Sequence, residues 1–331
     1  MSDQLISPVA NASLERQLRA RLRHIEDPSR PLDQVEQLAV RVGLIHNQLE
    51  PHFSTPSLVI FAADHGLAVD NITEGQLDTT AAAAHGLLMA RQSRATDCPG
   101  ALVLMVVDSG IAEPVAPHEG FLARKIAHGT RNSRLGRAMS MEQVRAAIRA
   151  GLEIGESLDG NAVGCAGMGV GSEESAALVL SALCDVSPKE FVDSGRPLPD
   201  GLLEHKLRVL ESVRQRHSEL RDPLELLAAM GGFEVAMLVG LMLGASARRF
   251  VILPEGLPAC AALMLTSAIA PAVVEYCVFG RSDGGPGLDR AVSLFDSALV
   301  LESDPSATND AGARLAWRTL SRATALLASA T

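Results

Sequence analysis

Aromatic residues are scarce in this chain: one Trp, one Tyr and eight Phe, 3% of 331 residues. Holding single-stranded nucleic acid takes aromatic platforms on which bases stack, and there is little here to build one. Basic charge is short as well. Lys and Arg number 29 against 39 Asp and Glu, a formal net charge of −10, the wrong sign for a phosphate backbone as partner. The five cysteines, Cys98, Cys165, Cys184, Cys260 and Cys277, are scattered without metal-ligand spacing, which suits a reducing compartment. No apolar run reaches the roughly 18 to 20 residues needed to span a bilayer. The opening stretch, MSDQLISPVANASLERQLRARLRHIED, spaces its apolar residues as an amphipathic helix does, not as a signal peptide does. The expectation is a cytoplasmic protein that binds neither nucleic acid nor membrane and needs no metal or cofactor.

What the chain does have is small and aliphatic. Hydrophobic residues make up 47% and charged residues 21%, the balance of a folded globular protein, so the core is Leu, Val, Ala and Met. The first fifty residues read as amphipathic helices, LDQVEQLAVRVGLIHNQL being the clearer one. Then SLVIFAADHG (57–66), ALVLMVVDSGI (101–111) and RFVILPEGLP (249–258) each run apolar and stop on an acid and a glycine. That is the pattern of a buried parallel strand ending in a loop. Ala-rich helices are predicted at 79–92, 141–157, 173–185 and 233–246. Alternation of this kind implies an α/β fold, a Rossmann-like, doubly wound, mainly parallel sheet whose ligand crevice lies at the strands' carboxyl ends. Two stretches punctuated by Gly and Pro, 187–201 and 279–290, are predicted to be surface loops.

Candidate chemistry gathers at those strand ends. Asp64, His65, Asp108 and Glu255 stand at the tips; each could serve a ligand, or cap the following turn. In GMGVGSEESAALVLSAL (167–183), Gly169 and Gly171 lead into a helix whose first-turn N–H groups could receive an anion. Glu173 and Glu174 stand in that first turn. They suit the helix dipole, with Ser172 as N-cap. Facing a phosphate about 4 Å away, each would repel it by about 4 kcal/mol per charge pair at an effective dielectric of about 20. Gly231 and Gly232 precede another helix and permit a close backbone approach. The basic loop carrying Lys125, Arg131, Arg134 and Arg137 is either solvated or a lid reaching for an acidic ligand, and Ser140 with Gln143 predicts a capping box beside it. Lys206, in LLEHKLRVLESVRQRH, alone reads as a surface lysine.

The order of these pieces resembles the nicotinate-nucleotide:dimethylbenzimidazole phosphoribosyltransferase family over nearly the full length. The resemblance runs through LDQVEQLA (32–39), FAADHG (61–66), VVDSGI (106–111) and KIAHGTRNSRLGRAMSMEQ (125–143). It continues through GMGVGSEESAA (167–177), DPLELLAAMGGFEVA (222–236), LPEGLPACAALML (253–265) and AGARLA (311–316). It implies a Rossmann-like domain over 56–296, a small helical domain from both chain ends (1–55 with 297–331), and a homodimer. The implied reaction moves phosphoribose from nicotinate mononucleotide to an aromatic base, dimethylbenzimidazole or a relative. That takes a phosphate cradle, a flat apolar slot and a carboxylate for the base's proton.

Asp64, His65, Asp108 and Thr130 match the family pattern, and Lys206, Gly231, Gly232 and Ser282 match positions near phosphate and ribose. Thr73 lies in NITEGQLDTT (71–80), the base-contacting segment, which lacks the family's aromatic-Pro pair. The family turn, approximately Gly-Glu-Met-Gly-Ile-Gly-Asn-Thr-Thr, has Gly167 here at its Glu and Ser172, Glu173 and Glu174 at Asn-Thr-Thr. In FGRSDGG, Gly280 and Gly284 stand at the family's His and Glu. The catalytic Glu falls at Asn309, so its neighbour Asp310 is the candidate general base, ahead of Asp304 and Glu302. Two other readings stay open: a catalytically silent partner subunit of an active paralogue, and a small-molecule-binding protein that kept the crevice.

Overall fold

The computed structural model describes residues 6–22, 31–73, 79–94, 102–192, 201–280, 285–295, 299–301 and 312–329. In chain order come α1 (Ala12–Leu22), α2 (Gln34–His46), β1 (Ser57–Ala63), α3 (Thr80–Arg94), β2 (Val103–Gly110), β3 (Phe121–Ala123), α4 (Met141–Ser157), β4 (Ala162–Met168), α5 (Ser172–Cys184) and α6 (Lys189–Val192). There follow α7 (Leu202–Arg216), α8 (Pro223–Met230), α9 (Phe233–Ala247), β5 (Val251–Glu255), α10 (Gly256–Ile269), β6 (Val278–Gly280), α11 (Gly285–Val292), β7 (Leu299–Leu301) and α12 (Gly312–Ser329). No helix among the described residues is long and apolar enough to cross a membrane.

Five strands form one parallel sheet in the order β3-β2-β1-β4-β5. The chain winds outward from β1 to β2 and β3, then returns to lay β4 and β5 on the other side. The order therefore reverses between β1 and β4, and a crevice opens outside their carboxyl ends. Ala62 sits beside Asp108 on one neighbour and Met168 on the other, which fixes what reaches that crevice. The sheet is the doubly wound α/β architecture expected. A second, two-stranded parallel sheet pairs β6 with β7.

Helix α9 lies at the centre. Its sequence, FEVAMLVGLMLGASA, is apolar all round and nearly every residue is buried, as expected of a helix covered on all sides. It packs on the sheet and against α4 and α10. The α4 contact is close because glycines face it: a methyl group on Gly151 would come within 1.9 Å of the Met237 carbonyl oxygen. We expect Gly151→Ala to cost about 1–3 kcal/mol through forced separation of the two helices. Unchanged urea-denaturation stability would show that the pair tolerates a wider spacing.

Helix starts follow local chemistry. Ser140 and Gln143 form the expected capping box on α4, and Asp33 with Glu36 forms another on α2. At the chain's other end, α12 packs against α2 and α1. Two loop expectations need correcting. Residues 189–192 make a helical turn with Phe191 buried, and the glycine-rich stretch turns helical from Gly285, burying Gly287 and Ala291. Strand β4, AVGCAGM, carries no clear strand signal in the sequence because its small residues mimic a loop. They are small because α9 and α10 press on it: a methyl on Gly167 would lie 2.7 Å from Pro258 Cβ.

Candidate active site

The glycine turn after β4 is pinned to the tip of β1. Gly169 has φ of +147°, and a Cβ there would lie 1.7 Å from the Ala63 carbonyl oxygen, so no side chain fits. His65 N–H donates to the Val170 carbonyl at 3.1 Å, and Val170 N–H donates to Thr80 Oγ1 at 3.0 Å. Gly171, with φ of +86°, is the N-cap of α5 and offers no side chain to it. The expectation of Ser172 as N-cap is thereby corrected: Ser172 is the first helical residue. Its hydroxyl points inward instead and donates to Glu234 Oε1 at 2.9 Å.

Glu234 is the hub of the crevice. It occupies the first turn of α9, is 0% exposed, and lies 2.9 Å from His65 Nε2. Burial alone would lower the His65 imidazole, but the charge and hydrogen bond of Glu234, with Asp64 and Glu174 adding, raise it above its ordinary value. His65 and Glu234 therefore form a buried hydrogen-bonded pair in which the carboxylate favours the protonated imidazole. Gly232 makes room for it, since a Cβ there would meet Glu234 Oε2 and His65 Cε1, each at 2.3 Å. Glu234 Oε2 has no hydrogen-bond partner among the described residues. Reasoning from sequence does not single out Glu234, yet it is the lone ionisable residue of α9, and that is its signal.

The two first-turn glutamates of α5 part company. Glu173 is exposed, whereas Glu174 is buried at 5% and ion-paired through Oε1 with Lys206 of α7. Lys206 is accordingly no surface lysine, its side chain being 12% exposed. Glu174 Oε2, like that of Glu234, has no partner among the described residues.

The other tips have internal duties. Asp64 accepts from the Thr80 hydroxyl and, at 2.6 Å, from Ala112 N–H, while its carbonyl accepts from Thr130 N–H at 2.9 Å. Thr130 Oγ1 accepts from Gly66 N–H at 3.2 Å. Asp108 accepts from Ile111 N–H at 2.9 Å and pairs with Lys125 at 3.2 Å. Glu255 ends β5 beside Ala166 of β4, one strand away from the cluster. Gly231 closes α8, and Thr73 is half-buried beyond the turn 66–70.

The basic loop is held from within. Arg134 clasps Asp70, whose carboxyl is lowered chiefly by that hydrogen bond, and Arg137 lies 3.9 Å from Glu225. Ser282, Asp310, Asn309, Asp304, Glu302 and Gly284 lie outside the described residues. Among the described residues, no three His, Cys, Asp or Glu side chains come together as a metal site.

A doubly wound parallel sheet with the N-terminus of α5 at its switch point, and Lys206 of α7 paired to that turn, defines a Rossmann-like α/β fold. The phosphoribosyltransferase family designated DBI_PRT matches residues 7–331, and the chain belongs to that family. It is 33% identical to the nicotinate-nucleotide–dimethylbenzimidazole phosphoribosyltransferase of Janthinobacterium sp. (strain Marseille), over 88% of this chain and 86% of that one. Its identity to the enzyme of that name from Variovorax paradoxus (strain S110) is also 33%, over 97% and 93% of the two chains. A crystal structure of CobT from Thermus thermophilus shares the fold, with a TM-score of 0.80, 24% identity and 96% of each chain covered.

Proposed function

We propose that this chain transfers phosphoribose from nicotinate mononucleotide to dimethylbenzimidazole or a related aromatic base, as the names of its relatives describe for them. In that reaction the bond from C1′ to the pyridinium nitrogen breaks and nicotinate leaves as a neutral ring with its carboxylate. A bond from C1′ to a benzimidazole nitrogen forms, and the base's N–H proton passes to a carboxylate.

One observation carries the reading: the Lys206 ammonium is held against the first turn of α5, at the switch point of the sheet. A lysine and a helix N-terminus converging there are what a sugar phosphate needs once Glu174 releases the ammonium. The buried His65–Glu234–Ser172 set holds the glycine turn and α9 in register behind it. Glu234 is committed to that set, so the proton acceptor is assigned to the C-terminal segment, at Asp310, near the position of the family's glutamate.

The reading extends to a cytoplasmic homodimer, supported by the family resemblance. It also assigns 1–55 with 297–331 to a small helical unit and 56–296 to the Rossmann-like domain, supported by the packing of α12 on α2. The near full-length match to enzymes of one name does not favour a silent partner subunit.

Mixing the protein with nicotinate mononucleotide and dimethylbenzimidazole should release nicotinate and yield the ribotide; absence of both products would overturn the reading. Asp310→Asn should abolish turnover while leaving donor binding intact. Unchanged turnover in that variant would remove Asp310 from the mechanism.

A further inference from the structure

Two carboxylate–cation pairs already meet behind the donor site: Glu174 with Lys206 on one side, Glu234 with His65 on the other. Their charges cancel, and Asp64, close enough to act on His65, adds another negative charge. A phosphate dianion arriving at Lys206 therefore finds no unbalanced positive charge. One carboxylate has to give way. Glu234 cannot, being fully buried and held by both His65 and Ser172. Glu174 can: it sits in the first turn of α5 and its carboxylate is held by Lys206 alone among the described residues, where Glu234 is held by two groups.

Resting on the donor site argued above, we propose that Glu174 is the specificity-determining residue for the donor's 5′ group. Its carboxylate holds Lys206 in place of an external anion, and a phosphomonoester enters only by exchanging with it. A donor ending in a hydroxyl needs no exchange. The buried Oε2 atom of Glu174 is an acceptor with no donor among the described residues, and a phosphate dianion brings it none. Relative to a chain with a neutral residue at 174, this one discriminates less sharply in favour of the nucleotide over the nucleoside.

The test is calorimetric titration of the full chain and of Glu174→Gln with nicotinate mononucleotide and with nicotinate riboside. The Gln variant should bind the mononucleotide about tenfold more tightly or better, because one repelling charge is gone, and the riboside about equally. Adding Lys206→Met to Glu174→Gln should cancel the gain. Mononucleotide affinity that is unchanged or weaker in a folded Glu174→Gln variant overturns the proposal. Should that variant fail to fold, Glu174→Asp withdraws the carboxylate while keeping its charge. It should show a smaller gain of the same sign, and no gain there overturns the proposal equally. Nicotinate release is scored separately: donor affinities that shift as expected without transfer would fault the proposed reaction and leave the role of Glu174 standing.

Discussion

Replacing Glu234 with alanine is expected to destabilise the fold by about 3–5 kcal/mol, the range for removing one partner of a buried ion pair. Glu234 is fully buried and accepts from both His65 and the Ser172 hydroxyl. Its loss strands both, and burial then drives the His65 proton off. Glu234→Gln keeps the shape and one acceptor, and is expected to fall between wild type and Glu234→Ala. The sign of the pH dependence follows from the raised His65 value. The pair's contribution is complete below the unfolded-state value of about 6.5 and is lost as pH rises through the higher folded value. Wild type should therefore lose stability on the alkaline side, and the Gln variant should lack that step. Urea denaturation across pH, with NMR titration of His65, reads both effects. Glu234→Ala within about 1 kcal/mol of wild type would show the pair to be dispensable.

Much of this arrangement is legible in the sequence, and the exceptions share a cause. Asp64, Asp108 and Glu255 fall at strand ends as expected because an apolar run that stops on an acid is a local pattern. The box at Ser140 and Gln143 is equally local. What local pattern does not convey is which partner each side chain meets. Ser172 reads as a cap until Glu234, distant in sequence, claims its hydroxyl. Lys206 reads as surface until α7 is seen to lie over α5 and meet Glu174. Strand β4 is hidden by small residues such as Gly167, which lets α9 and α10 approach. The substitution of Glu173 and Glu174 into the family turn looks like two like-signed obstacles to phosphate. In the fold they differ, because a helix's first turn points successive side chains in directions about 100° apart. One glutamate goes to solvent and the other to Lys206.

Acid should loosen the molecule at a second histidine, far from the crevice. His46 closes α2, with Nε2 donating to the Asn161 carbonyl at 3.2 Å and its ring edge-on to Phe53, which in turn packs against Trp317 of α12. Nδ1 is buried with no partner among the described residues, so a second proton has nowhere favourable to sit. Burial, with smaller contributions from His52 and Arg249, lowers the imidazole from 6.5 to about 4, against the opposing bond to Asn161. For a group whose folded value is lowered and whose neutral form is buried, the unfolded chain takes up protons first. Stability is then complete above the unfolded value of 6.5 and is lost as pH falls toward about 4. The whole interval is worth on the order of 3 kcal/mol, about 2 kcal/mol of it gone by about pH 5. His46→Gln retains an amide N–H for Asn161 and has no titration, so its stability should change less between about pH 7 and pH 5, by about 2 kcal/mol. The two proteins should be compared by urea denaturation at both pH values. Parallel losses in wild type and variant would place the acid sensitivity on other groups. A flattened loss in the variant would locate it where α2 and α12 meet the sheet, because the charge has to be accommodated between Asn161, Phe53 and Trp317.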